Sequence, residues 1–197
     1  MGFPTFPLEP GQTPLSDEEK LGLIPSYIKT VGELNEWEYD NILRGQKWAF
    51  SRRHKAILSE DFIRTLHKKM FGETWDWAGE YRKSNKNIGG PAYMIPTEIR
   101  EVLDTARFWE GEQTFDTREI AVRLHHRLVK VHPFPNGNGR HTRLFADIYL
   151  LNRGEPPFKW GGGADLTWES TPKQVYLDAL QQADNLDYAP LRDFAER

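Results

Sequence analysis

From Ile120 to Asn152 the chain reads IAVRLHHRLVKVHPFPNGNGRHTRLFADIYLLN, two apolar helical runs around the insert HPFPNGNGRHTR, His132 to Arg143. With two prolines, two glycines and two asparagines, the insert is too rich in turn residues for helix or strand. At about 100° per residue, Ile120, Ala121, Val122, Leu124, Leu128, Val129 and Val131 spread over roughly a 200° arc. More than half of that surface is apolar, which predicts a helix buried at the centre of an α domain. His125 and His132 fall inside the arc, while Arg123, Arg127 and Lys130 face away. Pro133 and Pro135 disfavour helical geometry at the residues before them. The helix is therefore expected to end at His132, with its ring on the inner side.

The second run leaves almost no polar face. Leu144, Phe145, Ala146, Ile148, Tyr149, Leu150 and Leu151 are apolar, and Arg140, Arg143 and Asp147 share one narrow stripe. Two arginines at the first turn of a buried helix are costly unless something anionic meets them. Ahead of them, Gly137-Asn138-Gly139 can turn successive N–H groups toward one point, and the helix dipole adds partial positive charge there. That is the design of a phosphate site. A histidine among arginines should stay neutral near pH 7, as a base for a hydroxyl must be. Asn136 offers an amide oxygen, a weak ligand for the Mg2+ of a nucleotide. Phe134 is expected to anchor the loop by burying its ring. The blander readings are a helix-ending histidine, an ordinary turn, and an Arg143–Asp147 pair. The arginine pair on an otherwise apolar helix weighs against them.

Outward from this centre, helices are expected at about 32–53 and 59–70 on one side, and at about 97–109, 172–183 and 189–195 elsewhere. Ser16 with Glu19 three residues later reads as a capping box that opens a short turn. Residues 1–15, with Pro4, Pro7, Pro10 and Pro14, read as an extended arm, and 16–197 as a single domain. The run AGEYRKSNKNIGGPAYMIP carries Gly-Gly-Pro between short apolar pieces and predicts a β-hairpin flap over about 82–96.

Composition bounds the rest. The 197 residues have a formal net charge of −3 and no cysteine, which excludes disulfides and thiolate metal sites and fits a cytoplasmic setting. Mean hydropathy is −0.69, and no apolar run approaches the length of a membrane span. The opening MGFPTFPLEPGQTP has no basic region followed by an apolar stretch, so no secretory signal is expected. Net negative charge and the lack of a recognition helix argue against direct nucleic-acid binding. Locally the balance reverses: from Arg118 to Arg143 there are six Arg and Lys against one acid, Glu119. No histidine spacing matches a zinc site.

His132, Phe134, Asn136, Gly137, Asn138, Gly139, Arg140 and Arg143 together resemble the signature of the Fic (Fic/Doc) family, His-x-Phe-x-acid-Gly-Asn-Gly-Arg-x-x-Arg. The flanking stretches GLIPSYIKT, ELNEWEYDNI, WDWAGEYRKSNKNIGG and YLDALQQADNLDYAPL are similar to the Fic subgroup called mobile mystery protein B. The resemblance implies an all-helical core with a hairpin flap, and a protein adenylyltransferase that moves AMP from ATP to a Ser, Thr or Tyr hydroxyl and releases pyrophosphate. It implies that His132 is the base and that Gly137, Asn138 and Gly139 hold the anion. Arg140 would hold the phosphates and Arg143 would reach the γ-phosphate. Asn87, Ile88 and Gly89 of the flap would dock the target protein by strand addition. The subgroup implies a small helix-turn-helix protein as a regulator.

Asn136 stands where the family has Asp or Glu, so Mg2+ affinity is expected to fall. Transfer of another phosphate-containing group, or a catalytically weak nucleotide-binding module, stay as alternatives. No Ser/Thr-x-x-x-Glu-Gly/Asn stretch is present, so the family's usual glutamate silencing is not expected; Glu33, Glu36 or Glu38 could act from the early helix.

Overall fold

Short polar side chains set the helix starts. The computed structural model describes residues 14–162 and 171–197. Ser16 opens α1 (Asp17–Leu21) with the expected reciprocal box: its hydroxyl accepts from Glu19 N–H at 3.2 Å, and the Glu19 carboxylate accepts from Ser16 N–H at 2.7 Å. Thr30 and Glu33 repeat the device at α2 (Val31–Phe50), Ser59 caps α3 (Glu60–Phe71), and Asp116 caps α5 (Thr117–Val131). These caps serve N–H groups that no helical carbonyl can reach. The remaining helices are α4 (Ile95–Gly111), α6 (Asn138–Asn152), α7 (Thr171–Asp184) and α8 (Ala189–Glu196). The proline-rich arm lies outside the described residues except for Pro14 and Leu15.

The centre of the molecule is the α5–α6 pair, as the apolar arcs require. Ile120, Leu124 and Leu128 of α5 and Phe145, Ile148, Tyr149 and Leu150 of α6 are fully or almost fully buried. α5 packs against α6, α4 and α8, α6 against α2 and α3, α2 against α3, and α7 against α8. α3 turns Ile63, Leu66, Met70 and Phe71 inward at helical spacing, with His67 on the same face. None of the helices among the described residues is long and apolar enough to cross a membrane.

The flap differs from expectation. Residues 81–91 form an irregular loop, Ala92–Met94 a turn of 3-10 helix, and α4 starts at Ile95; no strand occurs among the described residues. The β pairing that does occur is an isolated antiparallel bridge between Leu23 and Trp75. Backbone polar groups must be satisfied somewhere, and here side chains replace the ladder. The Arg82 guanidinium takes the carbonyls of Ser84 and Gly90 at 2.9 and 2.7 Å, and Asn85 Oδ1 accepts from Ala92 N–H at 2.9 Å. With those groups taken inside the loop, a hairpin has little left to gain.

Candidate active site

His132 sits where α5 stops. Its backbone is left-handed (φ 53°, ψ 58°), its N–H donates to Leu128 O at 3.2 Å, and the residue is 6% exposed. Burial pushes the imidazole down to about 4, with the nearby cations Arg82 and Lys86 adding to the effect against a Val129 backbone contact that favours the proton. The expected neutrality is therefore present, but its main cause is desolvation. The cations that contribute belong to the flap loop rather than to α6.

The loop behind the ring is held from inside. Phe134 is fully buried and stacks on His67 at 3.8 Å between ring centroids, with the His141 ring edge-on at 5.1 Å. Asn138 closes the turn on Phe134: its Oδ1 accepts from Phe134 N–H at 2.9 Å and its amide donates to Phe134 O at 2.8 Å. The Asn138 side chain is thus spent within the loop, and only its backbone N–H is placed as the sequence implied. Gly137 is left-handed (φ 77°), and a Cβ there would lie 2.5 Å from Phe71 Cζ, so only glycine fits. No side chain caps α6, which leaves the first-turn amides of Asn138, Gly139 and Arg140 without helical partners at the positive end of a buried helix.

The arginines separate. Arg140 donates from one terminal nitrogen to Glu38 Oε2 at 2.8 Å and lies over the Phe71 ring at 5.0 Å. Glu38 is 4% exposed and also accepts from Trp75 Nε1 at 2.7 Å. Arg143 lies over the Tyr176 ring, 5.5 Å from its centroid, and its charge reaches His125 and Asp147. Asp147 accepts from Phe158 N–H at 3.0 Å and from Trp160 Nε1 at 3.1 Å, and burial raises its carboxyl to about 7.

Asn136 has its Oδ1 turned back onto Gly137 N–H at 2.6 Å, and its carbonyl accepts from His67 Nε2 at 3.0 Å. His67 Nδ1 accepts from Gly79 N–H at 3.0 Å, so the neutral ring carries its proton on Nε2. Burial holds that ring well below its usual value. Among the described residues no group of three or more His, Asp or Glu could hold a metal ion. With its uncharged amide oxygen already accepting from Gly137 N–H, Asn136 offers the Mg2+ of a nucleotide a poor ligand.

Asn87, Ile88 and Gly89 are exposed at the outer edge of the flap loop. Gly89 (φ +87°) closes on His132: a Cβ there would stand 3.0 Å from His132 Cβ and 2.7 Å from Val131 O. Beneath the loop, Lys86 donates to Glu19 and to Pro14 O, and Ser84 Oγ donates to Glu19 Oε1, so α1 is tied to the flap. Two residues that matter here escaped the sequence reading, Arg82 and His67; Glu38 was among the acids expected to act from the early helix, but its partner Arg140 was not foreseen. His67 had a signal, a polar residue on the apolar stripe of α3. Arg82 and Glu38 act across 50 and 102 residues of chain, which local periodicity cannot see.

One short loop thus joins a buried, neutral imidazole to an uncapped, glycine-led helix start on a helical frame. Residues 57–150 match the model of the Fic/DOC family. Among solved structures it resembles the N-terminal Fic domain of a putative cell filamentation protein from Bartonella quintana, with TM-score 0.69, 19% identity, and 87% of this chain and 84% of that one covered. It also resembles the AMPPNP-bound BepC protein of Bartonella tribocorum, with TM-score 0.65, 16% identity, and 92% and 97% covered. At those identities the likeness is one of fold. A protein adenylyltransferase Fic of Aedes aegypti is 27% identical over 171 residues, 84% of this chain and 32% of that protein. The chain spans well under half the length of the curated relatives it matches.

Proposed function

We propose that this chain is a Fic-type protein adenylyltransferase that transfers AMP from ATP to a Ser, Thr or Tyr hydroxyl of a target protein. The observation that carries it is the neutral His132 ring at the end of α5, joined by a short, internally bonded loop to the uncapped start of α6. The imidazole takes the proton of the target hydroxyl. The hydroxyl oxygen then forms a bond to the α-phosphorus, the bond to the bridging β-phosphate oxygen breaks, and pyrophosphate leaves. The amides of Asn138 and Gly139 meet the developing negative charge. Arg140, drawn from Glu38, and Arg143 serve the remaining phosphates. No step is assigned to a metal. The target meets the exposed 87–89 segment of the flap loop, and the helices from α1 to α8 act as one Fic domain. Curated relatives that bear the adenylyltransferase name, and the AMPPNP bound by the BepC neighbour, support this reading.

Incubation with ATP labelled at the α-phosphate and a cell lysate should label protein, and His132→Ala should remove the label. Label arriving only from the γ-phosphate would replace the reading with phosphoryl transfer. The commitment of Asn136 Oδ1 to Gly137 favours one second reading, a nucleotide-binding module of low activity. Asn136→Asp separates the two: a Mg2+-dependent gain in labelling marks a weakened transferase, and ATP binding with no label from either protein marks a binding module.

A further inference from the structure

The geometry points to Arg82 as the positioning residue of this site, one side chain that sets both the base and the flap. This rests on the transferase reading above and adds to it the part that aligns the reaction. Arg82 is 2% exposed, yet among the described residues its guanidinium meets no carboxylate within hydrogen-bonding distance, and its bonds there go to main-chain carbonyls. Nε donates to His132 O at 2.7 Å. One terminal nitrogen donates to Ser84 O at 2.9 Å, and the other to Gly90 O at 2.7 Å and, at 3.5 Å, to Val131 O. Its own N–H donates to Pro133 O at 2.9 Å.

Two kinds of group are joined by that fork. Val131 and His132 carbonyls form the negative end of α5, where a cation is favoured. Ser84 and Gly90 carbonyls are the two ends of the loop that replaces the hairpin. A left-handed backbone at a non-glycine residue is strained and persists only where its surroundings hold it. At His132 those surroundings include Arg82 from its side chain and, one residue on, from its backbone. Gly89, packed on His132 Cβ, shows how little room separates loop and base. A lysine at this position keeps the charge but gathers its donors on a single nitrogen, so it cannot span both sets of carbonyls.

The test uses the full chain, unaltered and as Arg82→Lys, with Arg82→Gln prepared in case the lysine variant does not fold. Circular dichroism should show the helices retained. With α-labelled ATP and a cell lysate, the rate at saturating ATP should fall on the order of 100-fold, the cost of a small misplacement of reacting groups. The ATP concentration at half-maximal rate should move less than about threefold, because the α6 amides are untouched. Hydrogen exchange should quicken together in segments 84–91 and 129–134 of the variant, and in the unaltered protein these two segments should exchange on one timescale. A variant that keeps full rate, or that loses rate only through weaker ATP use, overturns the proposal. So does quickened exchange in 84–91 alone, or separate timescales in the unaltered protein. If the unaltered protein transfers no label, the transferase reading fails by itself, and the exchange measurements still decide what Arg82 does. If neither variant folds, the shared timescale in the unaltered protein decides.

Discussion

Acidification should weaken this fold above the range where ordinary carboxylates are protonated, because the core holds histidines that refuse a proton. His132 and His141 are both pushed from 6.5 to about 4, chiefly by burial. In the unfolded chain each takes up a proton near pH 6.5; in the folded chain each stays neutral until near pH 4. The unfolded state therefore binds more protons across that window, and stability is lost as pH falls through it. Two and a half units correspond to roughly 3 kcal/mol for each ring. His67 and His125 shift in the same direction. Asp147 works against them: burial raises it from 3.8 to about 7, so the folded state keeps a proton that the unfolded state releases, and acidification gains stability, by about 4 kcal/mol. Asp147→Asn removes that opposing contribution while leaving an oxygen for Phe158 N–H and Trp160 Nε1. Urea unfolding of this variant, followed by tryptophan fluorescence from about pH 7.5 to about pH 4.5, should show a loss on the order of 5 kcal/mol, much of a typical domain's total. Glu19 and Asp116, held below their usual values, add losses only at still lower pH. An unfolding free energy that stays level or rises over the window in Asp147→Asn would refute the reasoning.

Two further outcomes follow from distances in the site. Gly137→Ala places a methyl 2.5 Å from Phe71 Cζ on a left-handed backbone; overpacking of about 1–3 kcal/mol and a backbone cost of about 1 should appear as lowered stability in urea and as weakened ATP binding by calorimetry. Glu38→Gln keeps an acceptor for Trp75 Nε1 but frees Arg140 for anions, so the Kd for ATP should fall roughly tenfold, about 1.4 kcal/mol. An unchanged Kd would make the Arg140 pairing purely structural.

The central architecture was legible because its signals are local. Proline at 133 and 135 ends one helix, the apolar arcs of 120–131 and 144–151 bury both, and the capping pair Ser16/Glu19 announces α1. Helix ends moved by a few residues: the second helix stops at Phe50 rather than near Arg53, and α4 begins at Ile95 rather than near Thr97. The hairpin failed because Gly-Gly-Pro between apolar pieces is a turn signal, whereas the loop's carbonyls are claimed by a side chain, Arg82, that pattern reading treats as a surface charge. The reason for a neutral His132 was misassigned for a related cause. Arg140 and Arg143 are close in sequence, but their heads lie toward Glu38 and Tyr176, and burial decides the ring's charge.

α6 is buried from Leu144 to Leu150, so its first turn is anchored like a post set in concrete. Whatever shape a bound guest demands, that helix start cannot yield without disrupting the interior. On the transferase reading, accommodation is left to the irregular stretch 84–91, which makes that stretch the place to alter when a different acceptor is wanted.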